Sequence, residues 1–244
     1  MSGHNKWSTI KRKKGALDAK KGKIFSKIVK EISMAVKEGG ADPESNPRLR
    51  LAIQNAKGAN MPKDNVERAI NKADKDGADL QEVTYEGYAP HGIAIIIDCL
   101  TDNNQRTVSL VRSIFNKKGG NLGTNGSLAF IFDRKGVFTV KKDNLDPDEF
   151  QLSIIDAGAE DVEVEDEVFI ITTAMEDFGS MQKKLDEMGV EVENGELRRI
   201  PNNTKELPVE DAKKIMRIVE EFEELDDVQN VFHNLEFVDE LEED

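Results

Sequence analysis

The sequence predicts an α+β protein of three domains, an N-terminal helical domain plus two ferredoxin-like αβ domains, one inserted into the other. Three observations carry that reading. Between Lys23 and Asp76, apolar residues recur at helical spacing. From Gly136 onward the pattern runs strand, helix, strand, strand, helix, strand, which is the ferredoxin-like order. The αβ unit begun near residue 80 is left with one helix and three strands, and an amphipathic helix and strand after Pro208 supply what it lacks. The expected boundaries are a basic arm at 1–22, a helical domain at 23–79, a discontinuous αβ domain at 80–134 and 204–244, and the inserted module at 135–203.

Taken in order, Gly3 to Gly22 has almost no apolar periodicity and is dense in lysine, which predicts an arm that orders on meeting a partner. From Lys23, residues Ile24, Phe25, Ile28, Val29, Ile32, Ala35 and Val36 mark one helix face, with lysines on the other. Gly39 and Gly40 end that helix, and Asn46-Pro47 supplies the N-cap and first residue of a second, which turns Leu49, Ala52, Ile53 and Ala56 inward. A third helix from Pro62 buries Val66, Ala69 and Ile70. The short Gly58 to Met61 connection admits a helix-turn-helix, but Asp64 and Glu67 sit where phosphate would approach, so an ordinary αα-hairpin is favoured.

Val83 to Tyr88 and Gly92 to Leu100 read as strands, a helix capped by Asp102 or Asn103 carries Val108, Val111, Ile114 and Phe115, and Ser127 to Phe132 reads as a returning strand. In the inserted module, strands at Gly136 to Lys141, Asp161 to Val164, Val168 to Thr173 and from Val190 alternate with helices at Pro147 to Ala157 and around Phe178, Met181, Leu185 and Met188. That Met/Phe stripe reads as core. Val209 to Leu225 and Val228 to Phe232 give the closing helix and strand, followed by an acidic tail.

Several patterns suggest chemistry and fail on spacing. Asp74, Asp76, Asp79 and Glu82 around Gly77 miss the offsets of a calcium loop. Gly119 to Gly126 leaves a helix and enters a strand, the reverse of a phosphate loop, and lacks the Gly-Lys-Ser/Thr ending. His4, His91 and His233 lie in separate segments, and no nucleophile elbow, zinc motif or Walker pattern is present, so no catalytic residue, metal site or cofactor is expected. A single cysteine, Cys99, beside an apolar run fits a small buried residue in a reducing cytosol. The strongest apolar run, Ile93 to Ile97, is of strand length, and the N-terminus has no apolar leader pattern; a cytoplasmic protein without a membrane span is expected.

Charge supplies the functional signal. The chain carries −14, yet Met1 to Lys72 holds 17 Lys/Arg against 7 Asp/Glu, a local +10. Charges more than about 8 Å apart are largely screened at physiological salt, so acids elsewhere do not cancel this cationic stretch. Lys6, Lys11, Arg12, Lys13, Lys14 and Lys20 lie in the arm, and Lys23, Lys27 and Lys30 continue along the polar side of the first helix. Arg48, Arg50 and Lys57 of the second helix, and Lys63 and Arg68 of the third, stay available outside. Such bases give sequence-independent affinity for phosphate by releasing counterions. Trp7 either stacks on an exposed base or pins the arm to the folded body.

Gly3-His4-Asn5-Lys6-Trp7, Asn46-Pro47-Arg48-Leu49-Arg50, Asn60-Met61-Pro62-Lys63-Asp64-Asn65, Tyr85-Glu86-Gly87-Tyr88, Leu100-Thr101-Asp102-Asn103 and Gly119-Gly120-Asn121-Leu122-Gly123 carry a family resemblance. In these motifs, to about residue 240, the chain resembles the YebC/PmpR family of probable transcriptional regulatory proteins. The resemblance implies three domains, a cytoplasmic location and a DNA-binding regulator. Similar proteins include a mitochondrial translational activator of cytochrome oxidase and bacterial factors acting on ribosomes stalled at proline-rich stretches, which implies ribosomal RNA and the ribosome as the alternative partner. Two departures are visible: Ala89-Pro90-His91-Gly92 replaces the family's glycine-rich turn, and Asn104-Gln105 stands where the family tends to carry Arg-Asn before Arg106.

Overall fold

The computed structural model of the protein describes residues 17–77, 79–142 and 145–236, and for residues 17–20 the backbone alone. Two compact units result. Residues 24–77 and 134–199 form one, while 79–133 and 200–236, with the first turns of the N-terminal helix up to Lys23, form the other.

Helix α1 (Leu17–Gly39) begins ahead of the expected Lys23, so described residues of the predicted arm are helical. Leu17, Ala19, Lys20 and Lys21 are strong helix formers, and their propensity extends the periodic helix backward. Ile32, Ala35 and Val36 are buried, with Phe25 and Ile28 packed beside them. The turn into α2 (Pro47–Gly58) is built on Asn46. Its side-chain oxygen accepts from the Leu49 amide at 3.0 Å, while its Nδ2 donates to the carbonyls of Ala35 at 2.7 Å and Gly40 at 2.8 Å. Helix α3 (Lys63–Asp76) closes the domain through Val66, Ala69 and Ala73.

Within the same unit, α2 packs on the inserted αβ module. Asn55 makes reciprocal hydrogen bonds with the Gly195 backbone, each 2.8 Å. Gly58 comes so near the Glu193 carbonyl that a Cβ would stand 1.8 Å from the oxygen, which excludes any side chain without a backbone shift.

The module's sheet joins β4 (Phe132–Lys141), β5 (Ala159–Val164), β6 (Val168–Ala174) and β7 (Val192–Pro201) in the order β5-β6-β4-β7. Helix α5 (Pro147–Ile155) connects β4 to β5 across β6, and α6 (Phe178–Met188) connects β6 to β7 across β4, the interleaving of a ferredoxin-like fold. Phe138, Val140, Phe150, Ile154, Phe169, Ile171, Met181 and Leu185 fill the core, so the Met/Phe stripe packs as expected.

The other sheet joins β1 (Gln81–Ala89), β2 (Ile93–Thr101), β3 (Asn121–Leu122) and β8 (Val228–His233) in the order β3-β1-β2-β8. Helix α4 (Asn104–Lys117) leads from β2 to β3, and α7 (Val209–Glu223) precedes β8. The strands occupy ferredoxin-like places, but the chain reaches them through an initial hairpin and returns last to the β2 edge. β2 is buried on both faces, which explains its unbroken apolar run. Ile93, Ile95, Ile97 and Cys99 meet α4 and α7, whereas Ala94 and Ile96 meet Leu128, Phe132 and Phe232.

The returning strand expected at Ser127 to Phe132 is not formed. Residues 125–131 make successive turns, and β3 pairs through Asn121 and Leu122 alone. The cause is Glu86, whose buried carboxylate accepts from the amides of Gly126 at 2.8 Å and Leu128 at 2.6 Å and so takes donors a strand ladder would need.

Candidate nucleic-acid interface

Lys6, Trp7, Lys11, Arg12, Lys13 and Lys14 lie outside the described residues, and Lys20 is described only as helical backbone. On α1, Lys23 is held by Glu224 at 2.9 Å. Lys27 and Lys30 are half-buried along the same helix, each engaged with neighbouring groups.

The two arginines of α2 are half-buried and each is engaged with neighbouring groups of the fold. Arg48 is clamped between Glu31 at 2.8 Å and Glu38 at 2.6 Å, tying α2 to α1. Arg50 donates to the carbonyls of Pro43 at 2.6 Å and Glu44 at 3.2 Å and faces Asp186 at 3.8 Å. A guanidinium's fork of five donors suits it to bracing a loop as well as to binding phosphate, and sequence spacing does not distinguish the two uses. Lys57 is exposed; after Lys141, its charge helps hold the Glu191 carboxyl below the usual carboxylate range.

Helix α3 presents two faces of different character. Lys63 lies beside Glu67 at 3.5 Å, with Asp64 in the same turn. Around the helix, Asn65, Arg68 and Lys72 follow one another at i, i+3 and i+7 and border a groove of about 260 Å³. Its apolar floor is Phe25, Val29, Met61 and Ala69. Periodicity places Phe25 and Val29, four apart on α1, inward; Phe25 packs against the helical core, while Val29 is 36% exposed at the groove. The i, i+4 pair Arg68 and Lys72 is visible in the sequence; the apolar floor beside it depends on how α1 crosses α3.

A buried polar cluster stands at the start of α4. Asp227 accepts from Thr107 at 2.8 Å, Thr101 at 3.2 Å and Arg106 at 2.7 Å, and Arg106 also reaches Asp102 at 2.7 Å. These bonds, that to Asp227 foremost, raise the Arg106 pKa above its ordinary value. Arg106 is thereby committed to folding α4 onto the segment before β8. Nearby, burial first, then the charges of Cys99 and Asp227, push the Tyr85 phenol up to about 12. Among the described residues no group of three or more His, Cys, Asp or Glu is placed to hold a metal ion, and no helix is long and apolar enough to cross a membrane.

A helical domain with a cationic groove, followed by two interleaved αβ sheets, is the architecture of a known protein class. Residues 5–76 match the TACO1/YebC protein N-terminal domain, and residues 80–235 match the TACO1/YebC second and third domain. The chain belongs to the TACO1/YebC family. It is 52% identical over 239 residues to a probable transcriptional regulatory protein of Amoebophilus asiaticus, covering 96% of this chain and 98% of the relative. A probable transcriptional regulatory protein of Clostridium botulinum is 48% identical over the full length of both. The crystal structure of a conserved hypothetical protein from Aquifex aeolicus superposes with a TM-score of 0.81 at 43% identity, covering 91% of this chain and 93% of that one.

Proposed function

We propose that the protein is a non-enzymatic, cytoplasmic regulator of gene expression that binds nucleic acid through its N-terminal domain, acting as a DNA-binding regulator of transcription. The observation carrying this reading is the local +10 of residues 1–72 in a chain of −14. The groove bordered by Asn65, Arg68 and Lys72 supports it by adding a folded cationic lip to the lysines of the arm. Each phosphate neutralised there releases counterions, so binding weakens as salt rises. The relatives' name, probable transcriptional regulatory protein, supports duplex DNA as the ligand.

A second reading, a translation factor on ribosomal RNA, is favoured by one observation. The α3 surface carrying Lys63 also carries Asp64 and Glu67, a mixed face poorly suited to reading base edges in a major groove. Backbone and shape recognition suit structured RNA.

The test is the salt dependence of binding to a DNA duplex and to ribosomal RNA. Arg68→Glu with Lys72→Glu should weaken binding and lower the slope of log K against log salt by about one to two. Unchanged affinity and slope would remove the groove from the interface. Gradient sedimentation with crosslinking separates the two ligands: promoter recovery alone sinks the ribosomal reading, and ribosomal RNA crosslinks with ribosome co-migration sink the DNA-only reading.

A further inference from the structure

The αβ domain containing β1, β2, β3 and β8 holds a second surface of unusual charge. One residue in five of the whole chain is acidic, 48 of 244, yet no Asp or Glu occurs from Asn103 to Phe132. Arg112 and Lys117 fall within that interval, together with Arg106, held by Asp102 and Asp227, and Lys118, held by Glu221. The stretch ends in the glycine-rich loop after α4, where Asn121, Thr124, Asn125 and Phe130 are exposed.

Phe130 is the outlier of the fold. Its residue is 75% exposed, the most open among the exposed large hydrophobics of the described residues. Exposure does not come from a loose loop. Two residues earlier, Leu128 is wholly buried against Ala94, Ile96 and Phe232. Glu86 grips the Gly126 and Leu128 amides from beneath, and its own backbone carbonyl accepts from the Gly123 amide at 2.7 Å. On the other side, Asn202 donates its backbone N–H to the Ile131 carbonyl at 2.8 Å and its side-chain amide to the Phe130 carbonyl at 3.4 Å. The backbone is tied before and after Phe130 while the ring stands in solvent.

From these observations we infer that the loop is an RNA-contact surface on which Phe130 stacks against an unpaired base; the inference rests on the nucleic-acid reading above and decides between its two ligands. An aromatic ring on a fixed backbone stacks at little entropic cost, and any base offers a face for it. A strand carrying one negative charge per nucleotide also needs a landing zone free of carboxylates. Glu86, whose carboxylate accepts from this loop, is 4% exposed and turned inward onto amides, and Glu221 reaches the stretch only to pair with Lys118 at 2.6 Å among the described residues. A protein partner imposes no such exclusion of acids. Duplex DNA keeps its bases stacked inside the helix, whereas structured RNA displays unpaired bases in loops and bulges, so the ring fits RNA.

The experiment uses the full chain with an RNA hairpin bearing 2-aminopurine in an unpaired loop, the corresponding fully paired duplex, and a DNA hairpin of the same sequence. Phe130→Ala should weaken binding to the RNA hairpin by about five- to a hundredfold and abolish 2-aminopurine quenching, with Phe130→Tyr restoring both and the duplex unaffected. The ring's exposure predicts that the Ala variant keeps its melting temperature. Hairpin binding lost on Arg68→Glu with Lys72→Glu but unchanged in Phe130→Ala would overturn this inference and leave the nucleic-acid reading intact. No binding of the unaltered chain to any of the three probes would overturn both. Equal dependence on Phe130 with the DNA hairpin would overturn the assignment to RNA. A photocrosslinking residue at position 130 that captures protein and no RNA in cells would overturn it in favour of a protein partner.

Discussion

Tyr85 shows how one residue records its surroundings. Its hydroxyl donates to the Asn104 side chain from a position 8% exposed, close to Asp227, so the phenolate is disfavoured by lost hydration and by negative charge. A phenol that ionises at about 10 in the unfolded chain and at about 12 in the folded one contributes stability below pH 10. That contribution falls as pH rises through the interval, because there the folded state holds the proton that the unfolded state has released. With Tyr88→Phe removing the other tyrosine, ultraviolet titration of the phenolate should give a single step near pH 12 in the folded protein. A step near 10 before unfolding would show that Tyr85 is not buried as described. The Tyr-Glu-Gly-Tyr motif marks this position in the sequence, but Asp227 is 142 residues away in the chain, and only folding brings its charge near.

Asn46 belongs to the scale of elements, because one side chain joins two helices. It caps α2, while its amide donates to two carbonyls at the end of α1, the buried one of Ala35 and the one of Gly40. Asn46→Ala should lower the stability of the helical domain by about 2–4 kcal/mol, read as an earlier midpoint in urea. Asn46→Asp keeps the acceptor and loses both donors, so it should recover about 1 kcal/mol of that. Equal stability of Asp and Asn would show that the donated bonds contribute nothing. The cap was legible because Asn-Pro before an apolar period is a local signal. The strand read at Ser127 to Phe132 failed for the opposite reason. Leu128 and Phe132 are both buried, but Phe130 between them stands in solvent, and Glu86, some forty residues earlier, takes the amides a ladder would have used. Local pattern shows where apolar residues cluster, and not which partner the backbone finds.

At the scale of the whole molecule, the two sheets differ in self-sufficiency. The module from Phe132 to Pro201 contains every strand and helix of its sheet, whereas the sheet of β1, β2 and β3 needs α7 and β8. An isolated 132–201 fragment should fold cooperatively by circular dichroism and urea titration, and an isolated 80–133 fragment should not. Cooperative unfolding of the shorter fragment would show that α7 and β8 are dispensable. Interleaved β-α-β order made the first sheet legible, and a missing helix and strand pointed to the second. Much of the candidate interface was legible only as charge. The spacing of Arg48 and Arg50 does not show the carboxylates and carbonyls they brace, and the groove beside Arg68 and Phe130's projecting ring arise from packing that composition does not encode. The late arrival of β8 also sets a timetable. At about 5–20 residues per second, a ribosome needs roughly 6–25 s to travel from the end of β2 at Thr101 to the start of β8 at Val228. Through that interval an Ile-rich strand waits with one edge open, while the inserted module can already have closed. Between the two sheets, birth order therefore runs against chain order: the one in the middle of the polypeptide is finished first, and the final segment seals the one begun before it.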